Sequence, residues 1–280
     1  MQKEIDVTKI KALAVDLDGT ALLPDTRMGE RTVRCLKGLV DRGLQVMLCT
    51  GRAVESSQRY YSAIGATGPM VFFNGAEVAE VPDVKVISSN LMGTDVIDFG
   101  IDLARSMDIH FQVFFPPRDT PWEALLIEKQ RMEAEMYRNH TGIVPVVADL
   151  KAVLAEPGTK GCFKAMFICD SALHNEIRRK MGDRFGDSIY MANSYPSFLE
   201  IMNAGVSKGE GLKTAMKCRG LKMEDLIAFG DEENDLPMFA VAGFSAAPSS
   251  AKEKVRQAAD FVFGPNAEEG LAAFLENLFK

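Results

Sequence analysis

Hydrophobic positions in this chain fall into two alternating rhythms. Ala12–Val15 is an apolar run without polar interruption, which reads as a strand buried on both faces, the habit of parallel sheets. Residues 29–42 carry Val33, Leu36, Leu39 and Val40 at helical spacing, and Gly43 closes that stripe. Residues 44–49 predict a second buried strand, 53–64 a helix capped by Gly65, and 70–73 a third strand ending in the turn signal Asn74-Gly75. The order β-α-β-α-β predicts a parallel sheet with right-handed crossovers and helices on its faces.

From about Pro82 the pattern changes. Strands at 85–89, 109–115, 162–168 and 189–192 are longer or amphipathic, and they alternate with helices at 95–107 and 172–185. This predicts a half-exposed sheet with helices on one side. Residues 122–137 read as an exposed helix and 151–154 as a short one. Near residues 198–202 the first style resumes. Ser207-Lys208-Gly209-Glu210 is a capping box opening a helix that carries Leu212, Ala215 and Met216. Leu226–Phe229 is another buried strand, and 268–278 an amphipathic helix. The expected architecture is α/β: a Rossmann-like parallel-sheet core domain from residues 1–82 and 199–280, with an inserted α+β cap domain at 83–198.

A length of 280 residues suffices for two modest domains. Lys+Arg 32 against Asp+Glu 39 gives a net charge of −7, which offers no footprint for nucleic acid or an anionic membrane. No apolar run approaches the ~20 residues of a membrane span. The start Met-Gln-Lys-Glu-Ile-Asp lacks the pattern of a signal peptide. Five cysteines (Cys35, Cys49, Cys162, Cys169, Cys218) are scattered without Cys-x-x-Cys, so reduced thiols in a cytoplasmic protein are expected. His110, His140 and His174 form no metal-ligand spacing.

The first strand runs directly into Asp16-Leu17-Asp18-Gly19-Thr20. Side chains two apart on extended backbone leave on one side, so Asp16 and Asp18 both project from the strand's carboxyl end, where open α/β sheets bind ligands. Gly19 permits a sharp turn that Thr20 can hold by a local hydrogen bond. Other predicted strand ends carry Thr50, and Asp231 with Asn234 and Asp235, while Lys208 stands at a helix N-terminus. Several acids, a lysine and a hydroxyl, without a histidine or cysteine partner, do not suit acyl transfer. They suit phosphoryl transfer, with carboxylates holding Mg²⁺ and a free aspartate attacking phosphorus.

These four segments resemble the four motifs of the haloacid dehalogenase superfamily, with the spacing of its Cof-type sugar-phosphatase branch. The resemblance implies a Mg²⁺-dependent phosphatase acting on a small phosphorylated metabolite. Asp16 would be the nucleophile and Asp18 the general acid and base. Leu17, Thr50, Gly51, Lys208 and Asn234 would form the phosphoryl-binding set. Asp16, Asp18 through its carbonyl, Asp231, Glu232 and Asp235 would surround the metal, Asp235 orienting Lys208 or the metal's waters. Asp18, held beside other carboxylates, is expected to be pushed toward protonation.

One departure stands out: Ser250 occupies the place of an asparagine usual in that branch, and Ser249 or Ser250 is the expected N-cap of the next helix. Arg118, Lys160 and Lys164 read as surface charges, Arg52 as a local ion-pairing residue, and Asn74 as a residue lining the entrance. Hinges are expected at 81–83 and 197–199. Three alternatives share the chemistry: a phosphomutase of the same superfamily, a receiver-like phospho-acceptor, and a non-catalytic sugar-phosphate binder.

Overall fold

The first sheet is built on β1 (Ala12–Val15), whose four side chains are buried on both faces, as an uninterrupted apolar run requires. The structure, a computed structural model, describes residues 5–117 and 124–280. In chain order β1 is followed by α1 (Glu30–Asp41), β2 (Gln45–Leu48), α2 (Val54–Ala63), β3 (Gly68–Phe72), β4 (Glu77–Val81) and β5 (Lys85–Ser89). The middle of the chain supplies α3 (Thr94–Met107), β6 (His110–Phe115), β7 (Ala124–Ile127), α4 (Met132–Thr141), β8 (Val146–Val147), α5 (Leu150–Ala155), β9 (Lys164–Ile168), α6 (His174–Phe185), β10 (Ile189–Tyr195) and β11 (Phe198–Asn203). The C-terminal part supplies α7 (Lys208–Cys218), β12 (Leu226–Phe229), α8 (Leu236–Phe239), β13 (Phe244–Pro248), α9 (Glu253–Ala258), β14 (Phe261–Phe263) and α10 (Gly270–Leu278).

The chain divides into two compact units: the chain up to Ala53 with Ser57–Ser88 and Ser207–Lys280, and Val54–Ser56 with Ser89–Val206. In the first, a wholly parallel sheet has the order β14-β13-β12-β1-β2. Strand succession runs one way from β1 to β2 and the opposite way from β12 to β14. The reversal point therefore lies between β1 and β12, where such sheets bind ligands at their carboxyl ends. Ala12, Ala14 and Met47 pack with Leu212, Ala215 and Met216 of α7, the stripe predicted for that helix. Ser207 accepts the Glu210 N–H (3.2 Å), but the Glu210 carboxylate takes Lys213 (2.7 Å), so only half of the expected capping box is realised.

The third strand departs from the expected sheet. A single parallel bridge, Cys49 to Val71, joins β3 to the end of β2, and β3 then pairs antiparallel with β4 in a separate sheet of order β3-β4-β5. Further on, α9 is entered at Lys252, and the Ser250 hydroxyl donates to Asn266 Oδ1 (3.0 Å), so neither Ser249 nor Ser250 caps that helix.

In the second unit the sheet order is β10-β11-β9-β6-β7-β8. Phe111, Val113, Ala165, Phe167, Leu199 and Ile201 pack on the side of α3, α5 and α6. The opposite side is not the solvated face expected: β6 and β9 are buried throughout, and Tyr137 of α4 meets Phe114 and Phe198 there. The helix expected over 122–137 resolves, within the described residues, into β7 followed by α4; Arg118 and Trp122 lie outside the described residues.

The expected return to the first domain at residue 199 also needs correction. β11 pairs antiparallel with β9 and β10, so residues 198–203 belong to the second sheet and the change of unit falls at Ser207. A fully apolar core strand and a strand of this sheet present the same local pattern. Segments 81–83 and 197–199, expected as hinges, join β4 to β5 and β10 to β11; apart from Val54–Ser56, the chain enters the second unit at Ser89.

Lys160 is exposed, but Lys164, expected on the surface, is buried with Glu200 in an ion pair of 2.8 Å, its ammonium over the Phe114 ring. Removing one buried partner leaves an uncompensated charge, whereas replacing both does not. Lys164→Met should therefore cost ~3–5 kcal/mol in denaturant melts, and Lys164→Met with Glu200→Met should recover most of it. A single variant as stable as the parent would contradict this.

Candidate active site

The loop after β1 and the loop after β12 meet because their strands are paired to the last residue. Val15 lies beside Phe229, and the Asp16 N–H donates to the Phe229 carbonyl (3.0 Å). Gly19 turns with φ 79° and lies so close to the second loop that a Cβ there would stand 2.2 Å from Asp231 Oδ2. Thr20 does not hold its own turn: its hydroxyl donates to Asp231 Oδ1 (2.9 Å) across 211 residues of sequence.

Asp16, Asp231 and Asp235 each offer a carboxylate oxygen within 4.8 Å of the others. Lys208, at the first turn of α7 and 1% exposed, reaches Asp16 Oδ1 (2.5 Å) and Asp235 Oδ1 (2.6 Å). The second Asp235 oxygen accepts the N–H groups of Asp231 (2.9 Å) and Glu232 (3.0 Å). Asp235 is thus spent on orienting Lys208 and folding the acidic loop. The hydrogen bond between Asp16 and Lys208, by contrast, uses Oδ1 alone.

Two of the expected metal residues send their carboxylates elsewhere. Asp18 is forked by Arg52, through Nε (2.7 Å) and Nη2 (2.6 Å), with the guanidinium over the Tyr60 ring. The guanidinium is thus a direct partner of the Asp18 carboxylate, whose charge also acts on Asp16, and an Asp18 ligand to a metal would be its main-chain carbonyl. Glu232 pairs with Lys252 (2.7 Å) in a half-exposed position outside the acidic cluster.

The Leu17 side chain is buried, and its carbonyl accepts the Leu22 N–H (2.8 Å), so its N–H is what it can offer a ligand. Thr50, at the end of β2 beside β1, is buried and accepts the Arg52 N–H through its hydroxyl (3.1 Å). Gly51 follows it in the same turn. Asn234 gives its Nδ2 donor to Asn74 (2.9 Å), leaving the acceptor of its amide for other contacts. The Arg52 fork was the least visible part of this site in the sequence; the arginine next to a strand-end Thr-Gly was the sole signal.

Burial raises the Asp231 carboxyl to about 7, with Asp235 adding to the effect. Burial likewise holds Asp16 well above its ordinary value, Lys208 opposing and the neighbouring acids reinforcing it. Burial works against the Lys208 ammonium, but Asp16 and Asp235 together outweigh it and hold its pKa above the usual lysine range. An all-oxygen donor set with more carboxylates than ammonium groups fits a hard divalent cation.

A family model described as haloacid dehalogenase-like hydrolase matches residues 13–275. The chain belongs to that family and is a phosphatase. It is 30% identical to the 5-amino-6-(5-phospho-D-ribitylamino)uracil phosphatase YitU of Bacillus subtilis, over 97% of this chain and 98% of the relative. It is 29% identical to the HMP-PP phosphatase of an Enterobacter species over 82% of this chain and 80% of that one. Among solved structures, TM0651 from Thermotoga maritima superposes with a TM-score of 0.83 at 28% identity, covering 96% of this chain and 97% of that one. A haloacid dehalogenase-like hydrolase from Bacteroides thetaiotaomicron reaches 0.87 at 22% identity, covering 96% and 100%, a likeness of fold.

The raised carboxyls set a pH dependence. A folded pKa above the unfolded one favours the fold while the group is protonated, and that contribution is lost as pH rises between the ordinary 3.8 and about 7 for Asp231. Cation binding needs the ionised forms. Adding a divalent cation should therefore raise the melting temperature more at about pH 8 than at about pH 5. An equal shift at both would contradict the assignment.

Proposed function

We propose that the chain is a Mg²⁺-dependent phosphomonoester hydrolase that acts in the cytoplasm on a small phosphorylated metabolite through an aspartyl-phosphate on Asp16. The observation that carries this reading is the buried Asp16 carboxylate, fixed by Lys208 at the reversal point of the sheet and facing Asp231. The relatives named as phosphatases of 5-amino-6-(5-phospho-D-ribitylamino)uracil and of HMP-PP support a small phosphorylated substrate. Scattered free cysteines, three of them buried, support a reducing compartment.

In the first step an Asp16 oxygen attacks phosphorus while the bond to the leaving oxygen breaks, and Asp18 gives that oxygen a proton. For this Asp18 first takes up a proton and turns from the Arg52 fork. In the second step Asp18 removes a proton from water as the water oxygen attacks phosphorus, releasing inorganic phosphate and restoring Asp16. Lys208 stays charged throughout and holds the nucleophile in place. The Leu17 and Gly51 N–H groups and the Thr50 hydroxyl are the donors for phosphoryl oxygens. Mg²⁺, held by Asp16, Asp231 and the Asp18 carbonyl with Asp235 behind, would supply positive charge against the phosphoryl oxygens when bound. The second unit is proposed to serve as a cap that excludes water.

Asp16→Asn keeps the shape but removes the nucleophile. Turnover of a generic aryl phosphate should fall by at least ~10³-fold, with the thermal melt retained. Chelation should abolish parent activity and Mg²⁺ restore it. Near-parent turnover by a folded Asp16→Asn would sink the mechanism.

A further inference from the structure

The turn after β3 has no part in the chemistry above, yet three pieces of the phosphoryl site rest on it. Phe73, Asn74 and Gly75 all have positive φ (48°, 57° and 99°). Two consecutive non-glycine residues in that region are uncommon, and such backbone persists where the surroundings over-determine it. The determinants here are identifiable. The Phe73 N–H donates to the Arg52 carbonyl (3.1 Å), the Asn74 N–H to the Thr50 carbonyl (3.0 Å), and the Phe73 ring is fully buried.

The same turn packs on the helix start that carries Lys208, because a Cβ on Gly75 would stand 2.2 Å from the Ser207 carbonyl oxygen. The Asn74 amide, itself buried, lies beside Gly51, where a Cβ would be 3.1 Å from its Oδ1. That Oδ1 accepts the Asn234 Nδ2–H at 2.9 Å. Asn234 Oδ1 is buried and has no hydrogen-bond partner in the protein, an arrangement that an arriving ligand or its water would complete.

We propose that Asn74 is a positioning residue of the phosphoryl site, setting the orientation of the Asn234 amide and its register with the Thr50–Gly51 turn. This rests on the phosphatase reading above. Asn74 reaches substrate only through its neighbours, so its effect is coupled to Asn234 rather than independent of it. A lost neutral hydrogen bond in a buried site corresponds to about a tenfold effect.

The test is a double-mutant cycle on the full chain with an aryl phosphate, and with inorganic phosphate as competitive inhibitor. Turnover by the parent decides the phosphatase reading separately; the cycle then decides this one. Asn74→Gly retains a residue at ease with positive φ, so its melt should stay near the parent's. It should raise KM and the inhibition constant of inorganic phosphate about tenfold, with kcat changed less. Combining it with Asn234→Ala should add little beyond Asn234→Ala alone. Asn74→Asp, which tolerates the same backbone and keeps an acceptor at the same reach, should restore the coupling to Asn234. Multiplying single-variant effects, an unchanged KM in Asn74→Gly, or no difference in coupling between Asp and Gly at position 74 would each overturn the proposal.

Discussion

The interaction on which the site depends is the buried ammonium of Lys208 between Asp16 and Asp235. Two carboxylates taken out of water without a counter-charge would cost several kcal/mol each. The lysine offsets that cost only if α7 begins directly beneath the ends of β1 and β12. The helix start, two loops and the reversal of strand order are thus joined by one charge. Asp235 extends the constraint through its second oxygen, which gathers the Asp231 and Glu232 N–H groups. Thr20 closes the ring by holding Asp231 from the other side. A carboxylate fixed by charge before a ligand arrives needs little reorganisation, which is what the role proposed for Asp16 requires.

The parts legible in the sequence were those specified locally. A strand buried on both faces announces itself as an unbroken apolar run, and β1, β2 and β12 were readable on that basis. Asp16, Asp231, Asp235 and Lys208 could be singled out because each stands at a strand or helix end, where polar side chains have few structural reasons to accumulate. Their convergence could be anticipated from the βαβ order, although the Lys208–Asp16 contact spans 192 residues.

What the sequence hid depends on choices between equivalent partners. The Asp18 carboxylate is forked by Arg52, which also lies over Tyr60, and nothing local in the sequence announces that pairing. Lys164 and Glu200 have the composition of surface residues, and their mutual pairing on neighbouring strands is what permits burial. Strand β3 leaves the parallel sheet after a single bridge because Phe73 and Asn74 turn the chain back at once. Strand β11 is mostly apolar, with Glu200 the one charge in it, and reads like a core strand but finds antiparallel partners. Hydrophobic pattern gives burial, not the identity of the neighbouring strand.

The central position of β1 has a consequence for how the molecule is made. One neighbour, β2, is synthesised almost immediately, whereas the other, β12, follows after the whole second unit. Until residues 226–229 emerge from the ribosome, this wholly apolar strand has an open backbone edge, a template for unwanted pairing. Sequence-distant contacts of this kind slow folding and lengthen the interval in which a nascent chain is exposed to aggregation. Assembly of the acidic cluster and protection of that edge therefore arrive in the same event, after the second unit has been made.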